Sequence, residues 1–152
     1  MTRPCREIFI KKITHTMTLL DTLKKSIFSG EDPARICDLI IVVAIEQGAS
    51  DIHLEPLNEK IRLRYRIDGL LEEVIQYPVN MHPQIVARYK ILGNLKMDET
   101  RKPQDGRISH EVEEKAFDLR LSTLPTVHGE KIVMRIVDKT KKIPDLAQLG
   151  LE

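Results

Sequence analysis

The apolar positions of this chain change their period as it is read from one end to the other, and each change marks an expected element. Ile13, Met17, Leu20, Leu23 and Ile27 fall three or four residues apart, the spacing of one helix face, and Ser29-Gly30 ends the run. The opposite face mixes Thr, Asp and Lys instead of forming a basic stripe. Residues 1–30 therefore read as a helical arm, packed on its own domain or on a neighbouring subunit, and not as a membrane anchor. Asp32-Pro33 supplies a side-chain cap and a first-turn proline for a second helix running to about Gln47, where Gly48 stops it. Ile36, Leu39, Ile40, Val43 and Ala44 make a wide apolar face that Ile41, Val42 and Ile45 extend almost all round, so burial on more than one side is expected.

From Ser50 the period becomes two. Ile52 and Leu54 alternate with Asp51, His53 and Glu55, and Ile61, Leu63, Tyr65 and Ile67 alternate with Arg62, Arg64 and Arg66. Asp68-Gly69 is a hairpin signal, and Leu70 to Gln76 returns as a third strand. A helix from about His82 to Leu92 follows, with Arg88 and Lys90 on its outer face. Pro103 and Gly106 interrupt a polar loop, Lys96 to Gly106. Arg107 to Glu111 is expected to pair with Lys115 to Ser122 across a Val112-Glu113-Glu114 turn. Residues 124–130 read as a second structured loop, and Lys131 to Val137 as a last alternating strand. Gly69, Gly106 and Gly129 read as turn residues with positive φ. The predicted class is α+β: an antiparallel sheet of about six strands with flanking helices and the N-terminal arm.

Composition narrows the choices. With 24 basic and 23 acidic residues the formal charge is +1, so there is no global basic field, and with 4% aromatics and no Trp few side chains can stack on bases. Nucleic acid is thereby disfavoured as a partner, and any anion must be met locally. Cys5 and Cys37 are widely separated and form no CxxC, and both read as small apolar fillers in a reducing compartment. The apolar run Leu39 to Ile45 is far short of the ~20 residues that span a bilayer.

Local chemistry concentrates between Asp98 and Val137, where arginines recur at 101, 107, 120 and 135. Repeated guanidinium groups on adjoining strands suit an anion, phosphate above all. The plain reading is a set of solvated surface arginines, with Arg101 ordering its loop and Arg135 pairing with Glu130 or Asp138. For Arg62, Arg64 and Arg66 the favoured reading is a solvated strand face or cross-strand bridging to Asp51 and Glu55; a subunit contact and a nucleic-acid patch are the rivals. His53, His110 and His128 are too dispersed for a metal triad.

ASDIHLEP at 49–56, RLRYRIDG at 62–69, RKPQDGR at 101–107 and DLRLSTLPTVHGEKIVMRIVD at 118–138 resemble the second N-terminal domain of the ATPases that drive type II secretion and type IV pilus assembly. The resemblance covers roughly residues 33–152 and departs from the usual pattern at Lys96–Thr100. It implies a PAS-like domain over 31–138 that sits above a RecA-type motor domain, with 139–152 as a linker towards that motor. No GxxxxGK[ST] occurs among the seven glycines, so the chain is expected not to be an enzyme by itself, while its parent is an ATPase using ATP and Mg2+.

By the same resemblance Arg107 and Arg120 point at the nucleotide phosphates bound by the motor, with Arg101 and Arg135 as lesser candidates. The implied partners are the motor domain of the same chain, neighbouring subunits of a hexamer, and secretion or pilus platform proteins of the inner membrane. The implied location is cytoplasmic, peripheral to that membrane and without insertion. The alternative is a stand-alone PAS-like module that holds a small ligand or a protein without any motor.

Overall fold

A computed structural model describes residues 19–139. Among them are helix α1 (residues 19–29), helix α2 (Pro33–Glu46), strands β1 (Asp51–Pro56), β2 (Lys60–Ile67) and β3 (Leu70–Pro78), a single 3-10 turn (Val79–Met81), helix α3 (His82–Leu92), and strands β4 (Gln104–Val112), β5 (Lys115–Thr126) and β6 (Gly129–Asp138). The strands form one antiparallel sheet in the order β3-β2-β1-β6-β5-β4, so the fold is α+β. Two meanders, β1-β2-β3 and β4-β5-β6, join at the centre through β1 and β6, the first and last strands in chain order.

Local chemistry accounts for the elements. Asp32 caps α2 by accepting from the Ala34 amide at 3.1 Å, with Pro33 in the first turn. At the other end Ala49 N–H donates to Ala44 C=O (2.9 Å) and Gly48 N–H to Ile45 C=O (3.0 Å), with Gly48 at φ 73°, a left-handed closure that suits glycine. The β2–β3 turn is two residues long, Asp68 at φ 50° and Gly69 at φ 79°, as the Asp-Gly pair predicts.

The core lies between one face of the sheet and the helices. Ile52 and Leu54 of β1, Ile61, Leu63 and Tyr65 of β2, Leu119 and Leu121 of β5, and Ile132 and Met134 of β6 are buried there. Against them pack Leu23 and Ile27 of α1, Ile36, Ile40, Ile41 and Val43 of α2, and Ile85 and Tyr89 of α3. Buried Tyr65 and Tyr89 donate their hydroxyls to α2 carbonyls, to Ile40 at 2.7 Å and Cys37 at 2.9 Å. Cys37 is an apolar filler, as read, and burial pushes its thiol up to about 12. Cys5, Ile13 and Met17 of the arm and the linker from residue 140 lie outside the described residues.

The structure corrects four expectations. Residues 124–130 are not a loop: β5 runs to Thr126 and β6 begins at Gly129, leaving the two-residue turn Val127-His128, because Pro125 and Thr126 stay in register with Glu130 and Gly129. The β4–β5 turn is also two residues, Glu113 at φ 50° and Glu114 at φ 65°, not three. Gly106 lies inside β4, which starts at Gln104. Its need for glycine is closeness, since a Cβ there would meet Gly93 O at 2.5 Å and Leu95 Cδ2 at 2.9 Å. Lys90 is on no outer face: it is 1% exposed, turned inward onto an ion pair with Glu130.

Candidate functional site

The sheet face away from the helices carries the polar residues of every alternating strand. Strand pairing aligns them in rows: Arg66 lies opposite Asp51, Asp51 opposite Arg135, Arg135 opposite Arg120, and Arg120 opposite Arg107. Four guanidinium groups and one carboxylate thus form a single line across five strands. Directly opposed residues place their Cβ atoms about 4.5–5.5 Å apart.

The ion pairs of this face lie on one half of it. Arg62 donates to Glu55 Oε2 at 2.9 Å, and Arg64 Nε donates to Glu55 Oε1 at 2.9 Å. Asp51, 6% exposed, accepts from Arg135 Nε at 3.2 Å and from the Ser50 hydroxyl at 2.9 Å, and lies 3.5 Å from Arg66 Nε. Burial alone would raise the Glu55 carboxyl, but the hydrogen bonds from Arg62 and Arg64 outweigh it and hold it below the usual range. Arg62, Arg64 and Arg66 are therefore bridged to Glu55 and Asp51, two arginines sharing Glu55 and Arg66 sharing Asp51 with Arg135.

On the other half the arginines are unpaired, although Asp105 and Asp118 share their face. Arg107 and Arg120 are exposed, and neither side chain has an ion-pair or hydrogen-bond partner among the described residues. They line a shallow depression of about 410 Å³ with Asp105, Gly106, Leu121 and Ser122. Asp105 is committed to the Ser122 hydroxyl at 2.7 Å. Arg135 adjoins Arg120 and keeps its tie to Asp51, a partner that strand periodicity does not reveal because the two are 84 residues apart. Arg101 is exposed in the loop before β4, outside the row. Chemically the surface offers planar donors to a multivalent anion. Among the described residues no group of three or more His, Cys, Asp or Glu is arranged to hold a metal ion.

A second depression, about 650 Å³, opens between the end of α2 and the β4–β5 hairpin, lined by Ile45, Ala49, Val112, Phe117 and Ile136 among others. None of the outward arginines reaches it.

Fold and row together define an α+β domain whose open sheet face is lined with arginine. The chain belongs to the Type II/IV secretion system protein family, which it matches over residues 18–152, so the match takes in α1 as well as the sheet domain. It is 49% identical over 119 residues to the Type IV pilus assembly ATPase TfpB of Acinetobacter baylyi, covering 78% of this chain and 20% of that protein. It is 44% identical over 116 residues to the Type II secretion system protein E of Xanthomonas campestris, covering 76% of this chain and 20% of that protein. The chain thus spans about a fifth of the length of these relatives. Its fold is similar to that of the Legionella pneumophila ATPase DotB, with a TM-score of 0.51 at 13% identity over 76% of this chain and 32% of that one.

Proposed function

We propose that this chain is the domain of a secretion or pilus-assembly ATPase that supplies arginines to the phosphates of an ATP held by a motor domain. The observation that carries the reading is the pair Arg107 and Arg120, side by side on an exposed sheet face and without an ion-pair partner among the described residues, whereas the other arginines of that face are held by Glu55 or Asp51. Like charges directly opposed across a sheet cost stability, so a surface that keeps them is built for a ligand of opposite sign.

The residues fit the phosphate end of a nucleotide and not its Mg2+. Guanidinium forks match phosphoryl oxygens, whereas Asp51, Glu55 and Asp105 are already engaged by arginine or serine. Bound ATP and Mg2+ supply the transferring phosphoryl group and its metal. When the domain closes on the motor, Arg107 and Arg120 neutralise charge on the phosphoryl oxygens, and Arg135, steadied by Asp51, stands behind them. An arginine in that role is worth roughly 10³ to 10⁵ in rate. Arg101 is a further, outlying donor on the same reading.

The motor domain of the same chain and neighbouring subunits of a hexamer are the partners that such closure requires. Platform proteins of the inner membrane would then hold the assembly at the cytoplasmic surface. Among the described residues no helix is long and apolar enough to cross a membrane.

The test is steady-state hydrolysis by the intact ATPase. Arg107→Ala and Arg120→Ala should each lower the rate at least tenfold with thermal unfolding unchanged or raised, while Arg64→Ala, on the ion-paired half, should leave the rate alone. Equal rates in all three would dismiss the reading.

A further inference from the structure

Lys90 is a buried cation that the phosphate reading does not use. Its Nζ lies 2.7 Å from Glu130 Oε1, and the two side chains are only 2% and 10% exposed. The same Nζ donates to the Glu99 backbone carbonyl at 2.9 Å. Glu130 is held from a second side, since His82 Nε2 donates to its carbonyl at 2.6 Å. Three segments thus meet at one ammonium group: α3, the start of β6, and the loop between α3 and β4.

That loop has a second closure. Gln104 donates from Nε2 to the carbonyls of Lys96 and Glu99, each at 3.0 Å, and accepts the Lys96 amide at 2.9 Å. Glu99 also accepts the Arg101 amide at 3.2 Å through Oε1. Residue 99 is therefore gripped from α3 by Lys90 and from β4 by Gln104, with Arg101 two residues beyond it and Arg107 three residues beyond Gln104.

Replacing a buried ion pair by apolar residues of similar volume is often neutral or stabilising, so the Lys90–Glu130 pair is weak evidence of a stability role. What no apolar residue can reproduce is the bond from Lys90 to the Glu99 carbonyl. We infer that Lys90 is a positioning residue: it fixes the Lys96–Gln104 loop, and through it the place at which Arg101 and the head of β4 are presented. The consequence for rate rests on the phosphate reading above. The anchoring of the loop does not.

The test pairs Lys90→Met/Glu130→Met with Gln104→Ala in the intact ATPase, comparing limited trypsin cleavage, thermal unfolding and hydrolysis. Lys102 precedes Pro103 and resists trypsin, so cuts after Lys96 and Arg101 report release of the loop. The double variant should keep its unfolding midpoint, yet be cut there about tenfold faster or more, the scale set by losing a hydrogen bond from a charged donor. Its kcat should fall with little change in KM. Gln104→Ala, which breaks the loop closure without touching the buried pair, should show the same faster cleavage. Unchanged cleavage in the double variant overturns the anchoring by Lys90, whatever Gln104→Ala shows, and faster cleavage with unchanged kcat overturns its catalytic consequence. If Arg107→Ala and Arg120→Ala are silent while cleavage accelerates, the phosphate reading has failed and the anchor stands.

Discussion

Arg120 occupies the least comfortable position on the exposed face, with Arg107 opposite it on one side and Arg135 on the other. Opposed like charges cost roughly 0.2–1 kcal/mol per pair, so removing the central one should relieve both contacts. Arg120→Ala is therefore expected to raise the unfolding midpoint of this domain by a few degrees at low ionic strength, about 3–4 °C per kcal/mol for a domain of this size. The gain should vanish at ~1 M salt, where the Debye length is about 3 Å. Inorganic triphosphate should stabilise the wild type more than the variant. Differential scanning fluorimetry reads all three, and a variant less stable than wild type would speak against repulsion in the row. The recurrence of Arg101, Arg107, Arg120 and Arg135 is legible in the sequence, and so is the bridging of Arg62 and Arg64 by Glu55, because alternation fixes which face each residue takes. The tie from Arg135 to Asp51 was not legible, since nothing local signals that β1 and β6 are neighbours.

Register is decided at the turns, and there the sequence is a weaker guide. A three-residue β4–β5 turn would set Glu111 against Lys115 and Arg107 against Leu119. The two-residue turn observed sets Val112 against Lys115 and Arg107 against Arg120. A slip of one residue exchanges the two faces of a strand, so the arginine row exists because Glu113 and Glu114 both accept left-handed backbone. Asp68-Gly69 announces the same geometry in its residue types, whereas Glu113-Glu114 does not. Strand β4 is also held by closeness. Gly106→Ala would drive a methyl group into the Gly93 carbonyl and Leu95, with a cost of about 1–3 kcal/mol expected from overpacking. A lower urea midpoint with unchanged slope is the predicted signature, and an unaltered midpoint would mean that the loop gives way freely.

The described residues form one open sheet joined at its centre by its first and last strands, and a buried and a half-buried imidazole make it sensitive to acid. Burial pushes His82 below its ordinary 6.5, with the Glu130 carbonyl pulling weakly the other way, and burial then Lys131 lower His53. A histidine whose pKa falls on folding is protonated first in the unfolded chain. Stability should then be full above about pH 6.5 and decline as the pH drops towards the folded values, with the Glu55 contribution lost at still lower pH. Urea unfolding between pH 7.5 and 5 should show that slope, and His82→Gln, which keeps a donor for Glu130, should flatten part of it; a wild-type profile that is level over this range would refute the assignment. At this same scale lies the central claim, that two unpaired guanidinium groups, on a sheet face whose other arginines are held by carboxylates, act on a phosphoryl group held by another domain. The most direct measurement is the single-turnover hydrolysis rate, at saturating ATP, of the intact ATPase carrying Arg107→Ala and Arg120→Ala together. A fall of at least about a hundredfold, on the scale of an arginine that stabilises phosphoryl transfer, is predicted with the fold retained, and a rate within twofold of wild type would contradict it.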